Sequence, residues 1–284
     1  MSELRLENVS FRYGIGTPFE KEALVDVSCA FTPGVITGII GHTGSGKSTL
    51  AQLLNGLNRP MGGRVLLDGR DIWEDPKKIP EVRNRVGLVF QYPEYQLFEE
   101  TVYADIAFGP KNQGKTSQEI DLLVRSSARF AGVEEAWLER SPFELSGGQK
   151  RRVAIAGVMA MDPDVLVFDE PAAGLDPGGR DAIFQRIRDY QIQNKKTVIV
   201  ISHSMEDMAR FSDELLVLKH GRVLDFGPVK DVFSHTQLLL ESGLGLPQVT
   251  QLLLELEKLG VAVDCRHYTV DEAYQEILSR IKPC

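Results

Sequence analysis

Cysteine is scarce in this sequence, and the little there is forms no pattern. Cys29, Cys265 and Cys284 are odd in number and make no CxxC pair, so the expected setting is a reduced, cytosolic one. Basic blocks are missing too. The net charge is −8, from 40 acidic against 32 basic residues, which argues against a nucleic-acid partner held mainly through phosphate contacts. No apolar run approaches the roughly 20 residues a membrane-spanning helix needs. The opening MSELRLENVSFRYG alternates charged and apolar residues and carries no signal-peptide core. The expectation is a chain soluble by itself that reaches a membrane only through a partner. Internal repeats and low-complexity tracts are absent as well, and 284 residues suit one large domain, or one domain with a small appendage.

What the sequence does have is alternation. LRLENVSFRY reads as a half-buried strand, followed by the Gly/Pro-rich loop GIGTPFE. VITGII, RVGLVF, VLVFDE, TVIVIS and LLVLKHG are short apolar runs bounded by turn residues, the mark of strands buried on both faces. Helical patterns lie between them, among them STLAQLLNGL, ending near Gly56, and RDAIFQRIRDY. Strands alternating with helices predict an α/β fold with a largely parallel sheet. After GRVLDFGP the texture changes. PQVTQLLLELEKLG has Pro247 at a first turn, Val249, Leu252, Leu253 and Leu256 on one face, and Gly260 as a stop. Thr269 with Glu272 then offers a capping box for a last short helix.

The chemistry begins at GHTGSGKST, Gly41 to Thr49. It fits GxxxxGK[ST], follows a strand and opens a helix, the context a phosphate loop requires. Its glycines let the backbone fold around phosphates, and amides at a helix start point at negative charge. Lys47 is placed to reach the β- and γ-phosphates and Ser48 to hold Mg²⁺; His42 reads as a bystander. VLVFDE then delivers Asp169 at a strand end, where it can hold Mg²⁺, and Glu170, placed to polarise a water toward the γ-phosphate. By themselves two acids ending a strand are ordinary solvated charges; beside a phosphate loop they acquire a role.

LSGGQKRR, Leu145 to Arg152, has two readings. One is a helix start with Ser146 as N-cap and two glycines for a tight entry. The other is a second phosphate-facing element. LSGGQ stands one helix and the turn MDPD upstream of the acid-bearing strand, and that arrangement resembles the ATP-binding-cassette (ABC) ATPases, whose signature it is. The resemblance covers almost the whole chain. It implies a P-loop NTPase fold of the ABC type: a mostly parallel core sheet, an N-terminal antiparallel β part, a helical signature subdomain at about 92–160 within a nucleotide-binding domain 1–228, and a helical extension 229–284 suited to dimerisation. Tyr13 matches the aromatic residue that stacks on adenine, though alone it is a strand-end aromatic. Gln91 matches the glutamine that senses Mg²⁺ and the attacking water, though alone it is a surface amide. Asp176, in AGLDP, matches the loop that crosses to a partner, and His203 the switch histidine, though it could equally cap the helix SMEDMA. The implied ATP site takes Tyr13, Gly41, His42, Thr43, Gly44, Ser45, Gly46, Lys47, Ser48 and Thr49 from one subunit. Ser146, Gly147 and Gly148 would face the γ-phosphate held by a neighbour, with Gln149 and Asp176 also among the implied nucleotide-binding residues. Glu170, His203, Gln91 and Lys47 are the implied catalytic residues, and Ser48, Gln91 and Asp169 the implied Mg²⁺ ligands. Lys150, Arg151 and Arg152 are expected along the same helix as solvent-facing or interface charges.

GTPFEKEAL and QYPEYQLFEETVYADIAFGP look like the ATPase subunits of energy-coupling factor (ECF) transporters, which import vitamins and metal ions across prokaryotic membranes. The GTPFE loop and HTGSGKST point to the second of their two ATPase types. The implied partners are a like or paralogous ATPase subunit, a transmembrane coupling subunit and a substrate-capturing membrane subunit, at the cytoplasmic face of the cell membrane. Tyr92, Pro93, Tyr95, Leu97 and Phe98, with Glu99 and Glu100 behind them, suit a short helix carrying arginines, or else Leu97 and Phe98 anchor the helical part to the core. An ABC protein of another importer, or a mechanical clamp, remains the alternative. Repair clamps interrupt the cassette with coiled coils and ribosomal factors carry two cassettes with basic linkers, neither of which is present here.

Overall fold

The long alternating stretch at the start folds as expected. In the computed structural model, which describes residues 2–280, β1 (Leu4–Tyr13) pairs antiparallel with β2 (Lys21–Phe31). After β3 (Ile36–Ile40) and α1 (Lys47–Leu54), β4 (Gly62–Leu67) joins the other edge of β1 and the two-residue β5 (Arg70–Asp71) follows it. This sheet has the order β2-β1-β4-β5. Next come α2 (Ile79–Arg85) and β6 (Val86–Val89), then α3 (Val102–Asn112), α4 (Ser117–Ala131) and α5 (Gly147–Ala160). The chain returns through β7 (Val165–Asp169), α6 (Pro177–Asn194), β8 (Thr197–Ile201), α7 (Met205–Phe211), β9 (Glu214–Lys219) and β10 (Arg222–Pro228). The second sheet has the order β10-β9-β3-β8-β7-β6, parallel except for β10.

The apolar runs are continuous because both faces of this sheet are covered. Every residue of β3, β7 and β8 is buried. Along β7, Val165 and Val167 face a core shared with α1 and the antiparallel sheet, whereas Leu166 and Phe168 face a core built with α3 to α6. The period-two alternation of a strand thus feeds two interiors. Parallel pairing also brings the C-terminal ends of β3, β8, β7 and β6 to one edge, where ligands of open α/β sheets bind.

The tail adds α8 (Val229–Ser234), α9 (Thr236–Glu241), α10 (Gln248–Lys258) and α11 (Val270–Arg280). Its apolar interior continues across residue 228: Val232, Phe233, Leu239 and Tyr268 belong to the same buried cluster as β3 and β7. The Thr269–Glu272 capping box forms in both directions. The expected apolar face of α10 divides, however. Leu253 is fully buried beside Thr250, while Leu252 is half exposed, because the Thr250 hydroxyl donates to the His267 carbonyl and so turns inward. Pro247 caps this helix one position before its first turn. Cys284 lies outside the described residues.

Candidate nucleotide site

The loop between β3 and α1 is fixed by its neighbours. Gly46 has φ 107°, and a Cβ there would lie 2.5 Å from the Ala23 carbonyl oxygen. The Ser45 carbonyl accepts from Gly221 N at the β9–β10 turn, and a Cβ on Gly41 would strike the Leu218 carbonyl and the Ser45 hydroxyl. Glycine at 41 and 46 is thus demanded by both backbone conformation and close approach. Within the loop, Lys47 Nζ donates to the carbonyls of Gly41 (2.6 Å) and His42 (3.0 Å). Burial lowers its ammonium below the ordinary lysine value, while Glu170 and Asp169 pull the other way. His42 Nδ1 lies 2.8 Å from the Thr43 carbonyl and its ring packs edge-on against His220.

An open cavity of about 160 Å³ lies over this loop, lined by Tyr13, Lys21, Gly44, Lys47, Ser48 and Thr49 among others. Tyr13 is 42% exposed, and its hydroxyl reaches Thr49 Oγ1 (3.2 Å) and Gln52 Oε1 (3.4 Å). This leaves a ring beside the cavity, edge-packed on Phe11.

The acids arrive from β7. Asp169 is buried, and desolvation raises its carboxyl above the usual range; a hydrogen bond from Ser48 and the charge of Lys47 oppose that rise. Glu170 follows in the left-handed region at φ 53°, its amide bonded to the Ile201 carbonyl of β8. Its Oε2 sits 3.0 Å from His203 Nδ1. Ser204, not His203, caps α7, so the histidine ring is released from the capping role its position allows. Gln91 is exposed two residues beyond Val89, whose partner in β7 is Phe168, so it follows the end of the strand next to the one that carries the two acids.

Ser146 to Gln149 stand elsewhere. Ser146 and Gln149 close a capping box at the start of α5, so the helix-cap reading holds in full. α5 packs on α3 and α4. Gly148 shares a second cavity, of about 410 Å³, with Arg152, Gly174, Asp176 and Arg186. Asp176 Oδ1 also accepts from Gly179 N at 2.6 Å, capping α6. One expectation fails here. Arg151 is buried, not solvent-facing: its guanidinium donates to both Glu94 oxygens (3.2 and 3.1 Å) and to the carbonyls of Pro171 and Ala173. A charge this deep needs several acceptors, and two segments supply them to the signature helix: the turn after Gln91 and the loop after Glu170. No sequence signal marks this pair, since Glu94 and Arg151 are 57 positions apart. Lys150 and Arg152 lie instead over the rings of Phe143 and Trp137.

Comparison with known proteins places the chain in a family. The family profile described as ABC transporter matches residues 24–173. The energy-coupling factor transporter ATP-binding protein EcfA2 of Caldanaerobacter subterraneus subsp. tengcongensis is 46% identical over 279 residues, 98% of either chain. Its namesake in Clostridioides difficile is 49% identical over 98% of this chain and 97% of its own. Among solved structures, cbiO1 from Clostridium perfringens, described as part of the ABC transporter complex cbiONQ, is similar at 37% identity and a TM-score of 0.74, covering 88% of this chain and 97% of its own. The ATP-binding cassette MJ0796, solved as a dimer in a post-hydrolysis state with ADP and Pi, is similar at 28% identity and a TM-score of 0.71, covering 80% and 98%. With likeness extending over nearly its whole length, the chain belongs to the ABC transporter family, as an ATP-binding and ATP-hydrolysing subunit of the energy-coupling factor kind.

Proposed function

We propose that this chain binds ATP on the loop Gly41–Thr49, hydrolyses it as half of a dimer, and passes the motion to membrane subunits importing vitamins or metal ions. The observation that carries the reading is the gathering of Lys47, Ser48, Asp169, Glu170 and His203 at one edge of the parallel sheet. Adenine stacks on Tyr13, and the loop amides and Lys47 hold the phosphates. The Ser48 hydroxyl, the Asp169 carboxylate and the Gln91 amide oxygen are hard donors of the kind Mg²⁺ takes, and Ser48 is among the groups that hold the Asp169 carboxyl down against its burial. When bound, Mg²⁺ supplies neutralisation of phosphate charge.

Glu170 has one carboxylate oxygen held by His203, which leaves the other to take a proton from the attacking water. A carboxylate only accepts, so His203 Nδ1 donates to it, and the ring donates to a phosphate oxygen from Nε2 only as imidazolium. Glu170→Gln is therefore expected to retain ATP binding and lose turnover by about 100-fold or more. Near-normal turnover of the variant would remove Glu170 as the base.

The second half-site is completed across a dimer. Ser146, Gly147 and Gly148 open α5, and Gly148 lines the second cavity together with Asp176, so they suit a neighbour's γ-phosphate, with a helix start toward the anion. Among the described residues no helix is long and apolar enough to cross a membrane, so a membrane location comes through partners. Tyr92, Tyr95, Phe98 and Phe108 are exposed, with Phe98 edge-on to Phe108, whereas Leu97 is the residue packed into the core. The two readings of this segment divide by residue: Leu97 anchors, and the aromatics remain for a coupling subunit, with Glu99 and Glu100 beside them. Isolation from native membranes is expected to retrieve polytopic partners with the wild-type chain and to lose them with Glu99→Lys/Glu100→Lys. Retention by the charge-reversed chain would cancel the electrostatic part of docking.

A further inference from the structure

Lys21 opens β2, and the β1–β2 register sets it directly across from Tyr13. It lines the cavity over the phosphate loop. Its Nζ lies 4.0 Å from the position a Cβ would take on Gly44, so the ammonium stands over the glycine backbone of the loop. The acids on either side of it are already engaged. Arg12 pairs with Glu20 at 3.1 Å and with Glu22 at 2.5 Å, and Glu20 also accepts from Gly16 N. Lys21 itself has no ion pair among the described residues. The local charge pattern thus neutralises both neighbouring carboxylates on one arginine and leaves a second cation, besides Lys47, facing the cavity.

We propose that Lys21 is a nucleotide-binding residue whose ammonium contacts the phosphates of bound ATP and of ADP, an assignment resting on the reading of this cavity as the ATP site. Lys21 comes from the strand that carries neither the loop nor the acids, and the cavity it lines with Tyr13 includes neither Glu170 nor His203. Its contact is therefore the same in ground state and transition state. Such uniform binding appears in KM and not in kcat. The ammonium is exposed, so its attraction is screened by salt.

The test uses the full chain and measures ATP and ADP affinity by titration calorimetry at low and high salt, with steady-state hydrolysis alongside. Lys21→Ala is expected to weaken both nucleotides about 5- to 20-fold at low salt, to flatten the salt dependence of binding, and to raise KM while leaving kcat unchanged. Lys21→Arg is expected to restore affinity. Unchanged affinity in Lys21→Ala overturns the proposal, and so does an equal loss in Lys21→Ala and Lys21→Arg, which would mark packing in place of charge. If the wild-type chain binds no ATP, the reading of the cavity itself fails. Binding by the wild type with no response to Lys21 removes only this residue.

Discussion

The loop Gly41–Thr49 and the helix start Ser146–Gln149 are both glycine-rich backbone suited to phosphate, yet they are built in opposite ways. At Gly41 and Gly46 a side chain would collide with the carbonyls of Leu218 and Ala23, so the rest of the chain is moulded around the first element. At Gly147 and Gly148 a Cβ would meet nothing within 4 Å. Nothing inside this chain requires glycine there, and a helix position would even prefer alanine. Glycines that the fold does not need fit the proposed approach of a nucleotide held by a neighbouring subunit.

Substitutions can break or sharpen this contrast. The largest effect on function is expected for Gly46→Ala, which combines positive φ with a 2.5 Å approach to backbone. It should abolish nucleotide binding by the isolated chain and lower unfolding free energy by roughly 3 kcal/mol in denaturant titrations. Intact binding would show that the loop is not held as tightly as its packing indicates. Arg151→Met comes next, because it strands the carboxylate of Glu94 beside the signature helix. A loss of about 3–5 kcal/mol is expected, recovered only in part by adding Glu94→Leu, since the Pro171 and Ala173 carbonyls stay unpaired. Full recovery by the double variant would reduce the junction to a simple ion pair. Gly148→Ala should be the gentlest in stability, neutral or stabilising by up to about 1 kcal/mol. ATP binding by the isolated chain should be unaffected while turnover of the assembled enzyme falls. Weakened binding in the isolated chain would place Gly148 in the chain's own site and dissolve the comparison.

Much of the site was legible before any fold was known because its parts are local. A phosphate loop is a strand, a turn and a helix in one stretch, and the capping boxes at Ser146 and Thr269 are contacts over three residues. The apolar runs named the buried strands because covering both faces of a parallel sheet demands such runs. Arg151 shows where local reading stops. In LSGGQKRR it is one of three consecutive cations with nothing to tell them apart, and only the approach of Glu94 and of the loop after Glu170 buries it. Leu252 and Leu253 repeat the lesson, since a helical stripe names a face but not which of two neighbours turns inward.

The sequence alone determined the α/β class, the identity of the phosphate loop and of the acid-bearing strand, and the order of the motifs, since each depends on short-range geometry and periodicity. The tertiary structure decided which strand ends meet. The order β3-β8-β7-β6 brings Lys47, His203, Glu170 and Gln91 to one edge although up to 156 positions separate them in the chain (203 − 47). It also decided that Lys21 lines the cavity over the phosphate loop and that Arg151 is interior. Those outcomes depend on pairing register and on long-range burial of charge, which no local stretch of sequence encodes.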